Sequence, residues 1–445
     1  MLLKIDEIVK ATKGKIISKS SDEVTKIVTD SRLTDEKSLF VPLLGENFDA
    51  HDFLEDVEKN GCKAVLTSKD YKGDLTVIKV EDTKKALGDI ARYYIKKLNP
   101  VKVAITGSVG KTTTKDMIAS VLSNLFPTLK TNGNFNNDIG VPLTAFRLED
   151  EKVAVFEMGM NHFKEIEYLS EIVCPDISVI TNIGHSHIEN LGSREGILKA
   201  KLEILKGMNK DSCIILNGDD ELLYNARDLI NIKTIYYGIN NKNCDILAED
   251  IIEEDSKVKF KIGGFSYTIN TPGIHNVYNA LCAITVGMQL TDDKEKIKEG
   301  LMNFKPEGIR QNIIKKDNFT IISDCYNAAP NSMIASLDVL KKTKGKRKIA
   351  VFGSVLELGK FRDELLEEVG RKVKEYDVDE LITVSEDALC INKGAKDSGF
   401  LCEKNFRDNM EVLNYLKANI KDDDVILIKG SRKYKMEEIS EGLLK

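Results

Sequence analysis

The chain holds 445 residues, 42% hydrophobic and 31% charged, a balance that excludes wholesale disorder. At about 100–200 residues per domain, this length favours about three domains over one. Lys and Arg number 65 against 71 Asp and Glu, and a net charge of −6 offers no general positive field for nucleic acid, which is not expected as a partner.

No stretch approaches the roughly 18 apolar residues of a membrane span, so none is expected. The opening Met1-Leu-Leu-Lys-Ile-Asp-Glu-Ile8 meets charge too early for a signal peptide. None of the eight cysteines forms a C-x-x-C pair, and several lie in apolar runs such as Ser212–Leu216. Core-filling thiols in a reducing, cytoplasmic compartment are the expectation.

In chain order, the short apolar runs Ser38–Pro42, Ala64–Thr67 and Thr76–Val80 alternate with helical patterns and predict a small α/β unit over 1–82. A helix follows from about Thr83 to Leu98, closed by Asn99-Pro100 because proline cannot continue the ladder. From Val101 the alternation strengthens. Predicted strands at Val101–Ile105, Val153–Phe156, Ile177–Ile180 and Cys213–Leu216 are separated by helical stretches, one of them Lys111–Phe126. Strands alternating with helices imply a parallel, doubly wound sheet, here in a central domain over 83–310. Beyond a boundary near Asn303–Gly308, the runs Phe319–Ile322, Lys348–Phe352, Glu380–Val384 and Val425–Lys429 predict a Rossmann-like α/β domain over 311–445.

The strongest local signal is Thr106-Gly-Ser-Val-Gly-Lys-Thr-Thr113, between a predicted strand and a predicted helix. Small residues let backbone N–H groups curl around phosphate oxygens, and the helix N-terminus adds its positive end. Gly107, Ser108, Val109 and Gly110 would form that cradle, with Thr113 in the first helical turn. Lys111 would reach the β/γ-phosphates and Thr112 would coordinate Mg²⁺, so ATP binding is expected. Relative to the common G-x-x-x-x-G-K-[ST] spacing the loop is shortened, because Ile105 stands at the first Gly position.

Further candidates follow strand ends, where a doubly wound sheet places its ligand groups. Glu157 closes Val155-Phe-Glu-Met-Gly159 and could hold Mg²⁺ or serve as a surface charge. In Thr181-Asn-Ile-Gly-His-Ser-His-Ile-Glu189, either His185 or His187 could bind a metal or be structural. Lys199-Ala-Lys-Leu-Glu-Ile204 lies on a predicted helix, whose charges are ordinarily solvated. Asn276 and Asn279, at i and i+3, could hydrogen-bond an adenine edge or cap the helix start. Asp324 follows the first strand of the last domain, and Arg310 sits at the junction, able to swing toward a phosphate on domain closure.

Taken in order, these segments resemble the Mur ligase family of ATP-dependent amide-bond-forming enzymes. The carriers are the shortened T-G-S-x-G-K-T-[ST] loop, Phe156-Glu-Met-Gly159, His187 in T-N-x-x-x-x-H-I-E, Lys201 in A-K-L-E-I, the H-N-x-x-N helix and Asp324-Cys-Tyr-Asn-Ala328. Four stretches narrow the resemblance to members that join D-alanyl-D-alanine to UDP-N-acetylmuramoyl-tripeptide. They are Asp30-Ser-Arg32 with Leu39–Phe53, Thr131–Thr144, Asp324–Met333, and Lys429-Gly-Ser-Arg432 with Met436–Glu438.

The resemblance implies a three-domain Mur ligase architecture, with UDP-sugar, ATP and the incoming amine gathered by successive domains of a monomer, and reaction through an acyl phosphate. It implies that Thr112 and Glu157 hold one Mg²⁺, and that Glu157, His187 and a carbamylated Lys201 hold a second. Asn276 and Asn279 would face adenine, Arg310 the phosphates and Asp324 the nucleotide. Ser31 and Arg32 would meet the UDP-sugar, and Asn134, Asn136 and Asn137 the acceptor. Two positions depart from the pattern: Ser354 stands where relatives usually carry Asp, and Leu366 near where they carry His.

Overall fold

The computed structural model describes residues 1–45, 47–254, 256–306, 312–316 and 318–445. Arg310 therefore lies outside the described residues.

The N-terminal strands are β1 (Leu3–Lys4), β2 (Lys15–Ser18), β3 (Glu23–Val24), β4 (Lys26–Val28), β5 (Ser38–Phe40), β6 (Ala64–Thr67) and β7 (Thr76–Lys79). β1 and β3 form a small antiparallel pair, and the other five form a sheet in the order β2-β7-β6-β5-β4. β4 to β7 pair in parallel, whereas the edge strand β2 runs antiparallel to β7. Val28, Phe40, Val65 and Val77 from these strands pack with Leu54, Val57 and Leu75 into one apolar cluster. The helix Thr83–Leu98 falls where the sequence predicts it. Asp82 caps it by accepting from the Lys85 N–H, and Asn99 ends it in the left-handed conformation.

The central strands are β8 (Val101–Thr106), β9 (Thr128–Lys130), β10 (Val153–Glu157), β11 (Ile177–Ile180), β12 (Cys213–Asn217), β13 (Lys233–Gly238) and β14 (Ile246–Leu247), in the order β14-β13-β12-β11-β8-β10-β9. The pairings β8·β10, β9·β10 and β13·β14 are parallel. Every residue of β10 and of β11 is buried, Glu157 and Ser178 included, as the mostly apolar composition suits strands covered on both faces. Several sequence candidates of this domain lie at or just after the carboxyl ends of β8, β10 and β11. A three-stranded antiparallel sheet, β15 (Glu249–Glu254), β16 (Lys257–Ile262) and β17 (Phe265–Ile269), follows.

The C-terminal strands are β18 (Asn312–Lys315), β19 (Phe319–Asp324), β20 (Arg347–Phe352), β21 (Glu380–Val384), β22 (Glu403–Phe406) and β23 (Asp424–Lys429), in the order β18-β19-β23-β20-β21-β22. Only β18 is antiparallel to its neighbour. Ile321, Ile349, Val351, Ile382, Ile426 and Ile428 supply much of one core face. Leu366 is fully buried. The chain packs into two compact units, one of residues 1–106, 125–179 and 202–214, the other of residues 107–124, 180–201 and 215–445. Among the described residues no helix is long and apolar enough to cross a membrane. All eight cysteines are free, and four are buried (Cys62, Cys213, Cys282 and Cys325).

Two glycines set the closest helix packing of the C-terminal sheet's cover. A Cβ on Gly370, in the helix Arg362–Glu375, would lie 2.0 Å from the Ile391 carbonyl oxygen. One on Gly394, in the helix Leu389–Asp397, would lie 1.9 Å from that of Glu367. The neighbours are backbone and cannot turn aside. Gly394→Ala is therefore expected to cost about 1–3 kcal/mol in chemical denaturation, through separation of the two helices.

Candidate active site

β8 runs directly into the phosphate loop, and the helix Lys111–Ser123 begins at Lys111 with Gly110 in the left-handed region (φ 84°). The loop is held from one side by the segment after β11. Asn182 accepts from the Val109 N–H through its side-chain oxygen (3.0 Å) and donates from Nδ2 to the Val109 carbonyl (2.9 Å). The Thr181 hydroxyl donates to the same carbonyl (2.7 Å), and the Ser108 N–H reaches the Asn182 carbonyl (3.1 Å). These bonds leave no room beside Gly107, where a Cβ would lie 1.9 Å from Thr181 Oγ1. Lys111 Nζ donates to the Gly107 carbonyl at 2.8 Å, folding its cation back over the loop. The Ser108 hydroxyl is buried without a hydrogen-bond partner, as suits a ligand-facing group. Thr112 is buried in the first helical turn, and Thr113 is half-buried beside it.

The segment Thr181–His187 is itself clamped. Asp220, at the end of β12, accepts from the Ile183 N–H (2.7 Å) while capping the next helix through Leu222 and Leu223. Arg194 donates from Nε and Nη2 to the Ile183 carbonyl (3.2 and 3.1 Å). Ser186 donates to the Ser108 carbonyl at 3.2 Å, tying the two histidines to the phosphate loop. His187 adopts a left-handed backbone (φ 65°, ψ 20°), and its Nδ1 lies against the Glu357 carboxylate, without the alignment of a hydrogen bond. His185 Nδ1 lies 3.1 Å from the Asn331 side-chain oxygen.

Lys201 contradicts the ordinary expectation for a charged helical residue, being only 1% exposed. Burial, aided by the Lys111 cation, pushes its pKa well below the ordinary 10.5 and favours the neutral amine. Asn276 and Asn279 are both buried in the helix Ile274–Leu290. Asn279 accepts from the Thr114 hydroxyl (3.0 Å) and donates to Asn276 (3.1 Å), and Asn276 donates to the Pro272 carbonyl (2.8 Å). The pair thus links its helix to the phosphate-loop helix and partly ties down its own helix start. Asp324 accepts from Lys429 (2.5 Å) and from Ser336 (3.0 Å). Burial alone would raise its pKa, but the Lys429 cation and these hydrogen bonds hold it below the usual carboxylate range. Ser354 is buried and donates to the Asp387 carbonyl at 3.0 Å.

In the other unit, Glu157 ends β10 and is 2% exposed. Its Oε1 accepts from Asn136 Nδ2 at 2.9 Å and its N–H bonds the Thr131 hydroxyl, whereas Oε2 is buried without a partner. Asn137 Oδ1 accepts from the Ile139 and Gly140 N–H groups (3.3 and 2.8 Å) just ahead of the helix Gly140–Ala145, and Asn134 is exposed. Ser31 opens a short 3-10 turn, and Arg32 forms a two-point pair with Asp30 (2.9 and 2.7 Å) that holds the Asp30 carboxyl down at about 2. The structure thus brings Asn136 onto Glu157, Lys111 near Lys201, and Asn279 onto the phosphate-loop helix. Asp220, Arg194 and Glu357 are not among the sequence candidates, and Lys429 stands there only in a stretch that carries the family resemblance, with no role assigned. For Asp220 a signal is present, a carboxylate shortly after a strand, whereas Lys429 and Glu357 act on partners more than 100 residues away and Arg194 on a backbone carbonyl that its sequence does not mark.

A shortened phosphate loop following a parallel strand and opening a helix, with a buried lysine near its cation, defines a nucleotide-using α/β protein of the P-loop class. Comparison with known proteins narrows the class. The Mur ligase middle domain matches residues 105–287, and the Mur ligase glutamate ligase domain matches residues 309–432. The chain is 38% identical to UDP-N-acetylmuramoyl-tripeptide–D-alanyl-D-alanine ligase of Bacillus subtilis over 94% of its length and 93% of that protein's. It is 34% identical to the enzyme of the same name from Escherichia coli, with the same coverages. The crystal structure of MurF from Acinetobacter baumannii superposes with a TM-score of 0.94 at 32% identity, over 100% of this chain and 99% of that one. MurF ligase from Thermotoga maritima in complex with ADP gives 0.84 at 26%, over 94% and 96%. The chain belongs to the Mur ligase family. It is an ATP-dependent ligase.

Two outcomes follow from the geometry. Gly107→Ala sets a methyl group against Thr181 and is expected to cost about 2 kcal/mol of nucleotide affinity, roughly thirtyfold in Kd by calorimetry. For Lys201, the unfolded chain holds more protons than the folded protein between the depressed folded pKa and 10.5, so stability rises with pH across that window. In CO₂-depleted buffer the wild-type Tm should climb with pH relative to Lys201→Met; parallel curves would exclude a buried neutral amine.

Proposed function

We propose that this chain joins D-alanyl-D-alanine to UDP-N-acetylmuramoyl-tripeptide with conversion of ATP to ADP, forming the pentapeptide precursor of peptidoglycan. The observation that carries the reading is end-to-end similarity to relatives of that activity, 38% over 94% of the chain for the Bacillus subtilis enzyme. The braced phosphate loop supports it.

A carboxylate resists attack by an amine because its leaving group would be oxide. Transfer of the γ-phosphoryl group to the carboxylate oxygen supplies a leaving group, after which the dipeptide amine attacks the carbonyl carbon and phosphate departs. Charge spreads over the γ-phosphoryl oxygens during transfer, so the chain acts mainly by positioning and electrostatics. The N–H groups of Gly107–Gly110 and the helix start would cradle the phosphates. Lys111 would exchange its bond to the Gly107 carbonyl for a phosphate oxygen. Asn276 and Asn279 would face adenine, Asp324 with its partner Lys429 would orient the nucleotide, and Ser31 and Arg32 would meet the UDP-sugar.

The donor set fits Mg²⁺, a hard cation preferring oxygen, since Glu157 keeps a buried carboxylate oxygen without a partner. Following the family resemblance, Thr112 and Glu157 would hold one ion, and Glu157, His187 and Lys201 a second. When bound, Mg²⁺ supplies neutralisation of phosphate charge. Lys201 could take part only as an anion, and its favoured neutral amine can attack CO₂, losing a proton to give a carbamate with two oxygen donors. Asn136 would orient Glu157 and, with Asn134 and Asn137, border the acceptor. The division into 1–82, 83–310 and 311–445 belongs to this reading, supported by separate sheets within residues 15–79, 101–247 and 312–429. A cytoplasmic location does too, supported by eight free cysteines.

The test is phosphate release from ATP with UDP-N-acetylmuramoyl-tripeptide and either D-Ala-D-Ala, D-Ala or no amine. Strong stimulation by the dipeptide alone is expected. Stimulation by D-Ala instead would indicate a sibling ligase, and release indifferent to any amine would indicate a phosphohydrolase.

A further inference from the structure

The two histidines of the 181–187 segment each meet a residue from far along the chain, His185 at Asn331 (3.1 Å) and His187 at Glu357. Glu357 is attached twice at this point. Its carboxylate lies against His187 Nδ1, and its carbonyl accepts from the Glu189 N–H at 3.2 Å. The backbone is shaped for this approach, with Glu357 at φ 62° and Gly359 at φ 52°. A Cβ on Gly359 would lie 2.8 Å from Glu189 Cγ and 3.1 Å from its Cβ. Three left-handed residues, His187 included, meet at one contact, and such conformations persist only where the surroundings enforce them. The other side of the segment is tied to the phosphate loop through Ser186 and Ser108 (3.2 Å).

The Glu357 side chain is 46% exposed, so the pair adds little to stability, and its effect lies in orientation. A carboxylate lying against Nδ1 favours the proton on that nitrogen and restrains the ring, which leaves Nε2 as the nitrogen able to ligate. We propose that Glu357 is a positioning residue for His187, so that seating the 355–359 loop on the 185–189 segment sets the imidazole tautomer beside the phosphate loop. This rests on the reading of His187 as a metal-facing residue of the ligase. Seating the loop that carries Glu357 and orienting His187 then become one event.

The test uses the full chain labelled with ¹⁵N-histidine, which has only five histidines, with His187 assigned by its loss in His187→Gln. Long-range ¹H–¹⁵N spectra without metal should show His187 as the Nδ1–H tautomer in the wild type. Glu357→Ala should shift it toward a mixture, and Glu357→Gln, whose amide oxygen still accepts, should retain it. Gly359→Ala, which lifts the loop with Glu357 intact, should behave as Glu357→Ala. In ligase assays the Mg²⁺ concentration for half-maximal rate should rise about tenfold or more in Glu357→Ala and stay near wild type in Glu357→Gln. A His187 signal unchanged in Glu357→Ala, in an enzyme that makes the amide bond, overturns the positioning role alone. A Glu357-dependent tautomer in a protein without amine-dependent phosphate release supports the pairing and overturns the ligase reading.

Discussion

The close approach of Gly107 to Thr181 is the constraint on which the rest of the nucleotide site depends. The phosphate loop lacks the first glycine of the longer motif, so it has fewer residues with which to curve. Its shape is imposed from outside, by three side-chain bonds from Thr181 and Asn182 onto Val109 and by a backbone bond onto Ser108. The segment supplying those bonds is in turn pinned by Asp220 and Arg194 at the two polar groups of Ile183. A loop braced in this way presents its N–H groups without reorganisation, which is where electrostatic catalysis of phosphoryl transfer gains most.

Charge in this molecule is arranged locally rather than globally. A chain with a net charge of −6 that must bind anionic nucleotides needs its cations placed individually, and the structure shows how differently they are used. Lys111 is bonded to its own loop. Lys429 is buried against Asp324 and stabilises that carboxylate as an anion. Lys201 is buried beside another cation, and the combination disfavours its charge. One residue type therefore serves as a phosphate donor, a structural counter-ion and a neutral amine. Desolvation and the nearest neighbour decide which.

Much of the fold could be read in advance. The short runs rich in β-branched residues at Ile177–Ile180 and Glu380–Val384 are strands with the predicted ends, because strands covered on both faces carry a mostly apolar pattern. The end of the helix Thr83–Leu98 was legible from the Asn99-Pro100 behind it. Other features were not. The helix after the phosphate loop ends at Ser123 rather than Phe126. The antiparallel edge strands β2 and β18 carry no local mark of direction, since direction is decided by the connection and the partner. Lys201 reads as a solvated surface residue from its helix alone, and only family resemblance argued otherwise. That the Asn136 side chain bonds Glu157 was equally illegible, since the sheet makes the two neighbours.

By itself the sequence determined the class of chemistry, because a glycine-bearing turn between a strand and a helix, followed by Lys-Thr, has few physical uses other than holding phosphate. It also determined the order of the α/β units, through periodicity and the residues that break it. Tertiary structure alone decided which side chains act on one another. Glu357 meets His187 across 170 residues, and Lys429 meets Asp324 across 105. Both depend on how strands and loops far apart in the chain are laid together. Spacing along a chain encodes local geometry within a turn or two of helix or strand, whereas the protonation and orientation of a buried group are set by whatever the fold brings within a few ångströms of it.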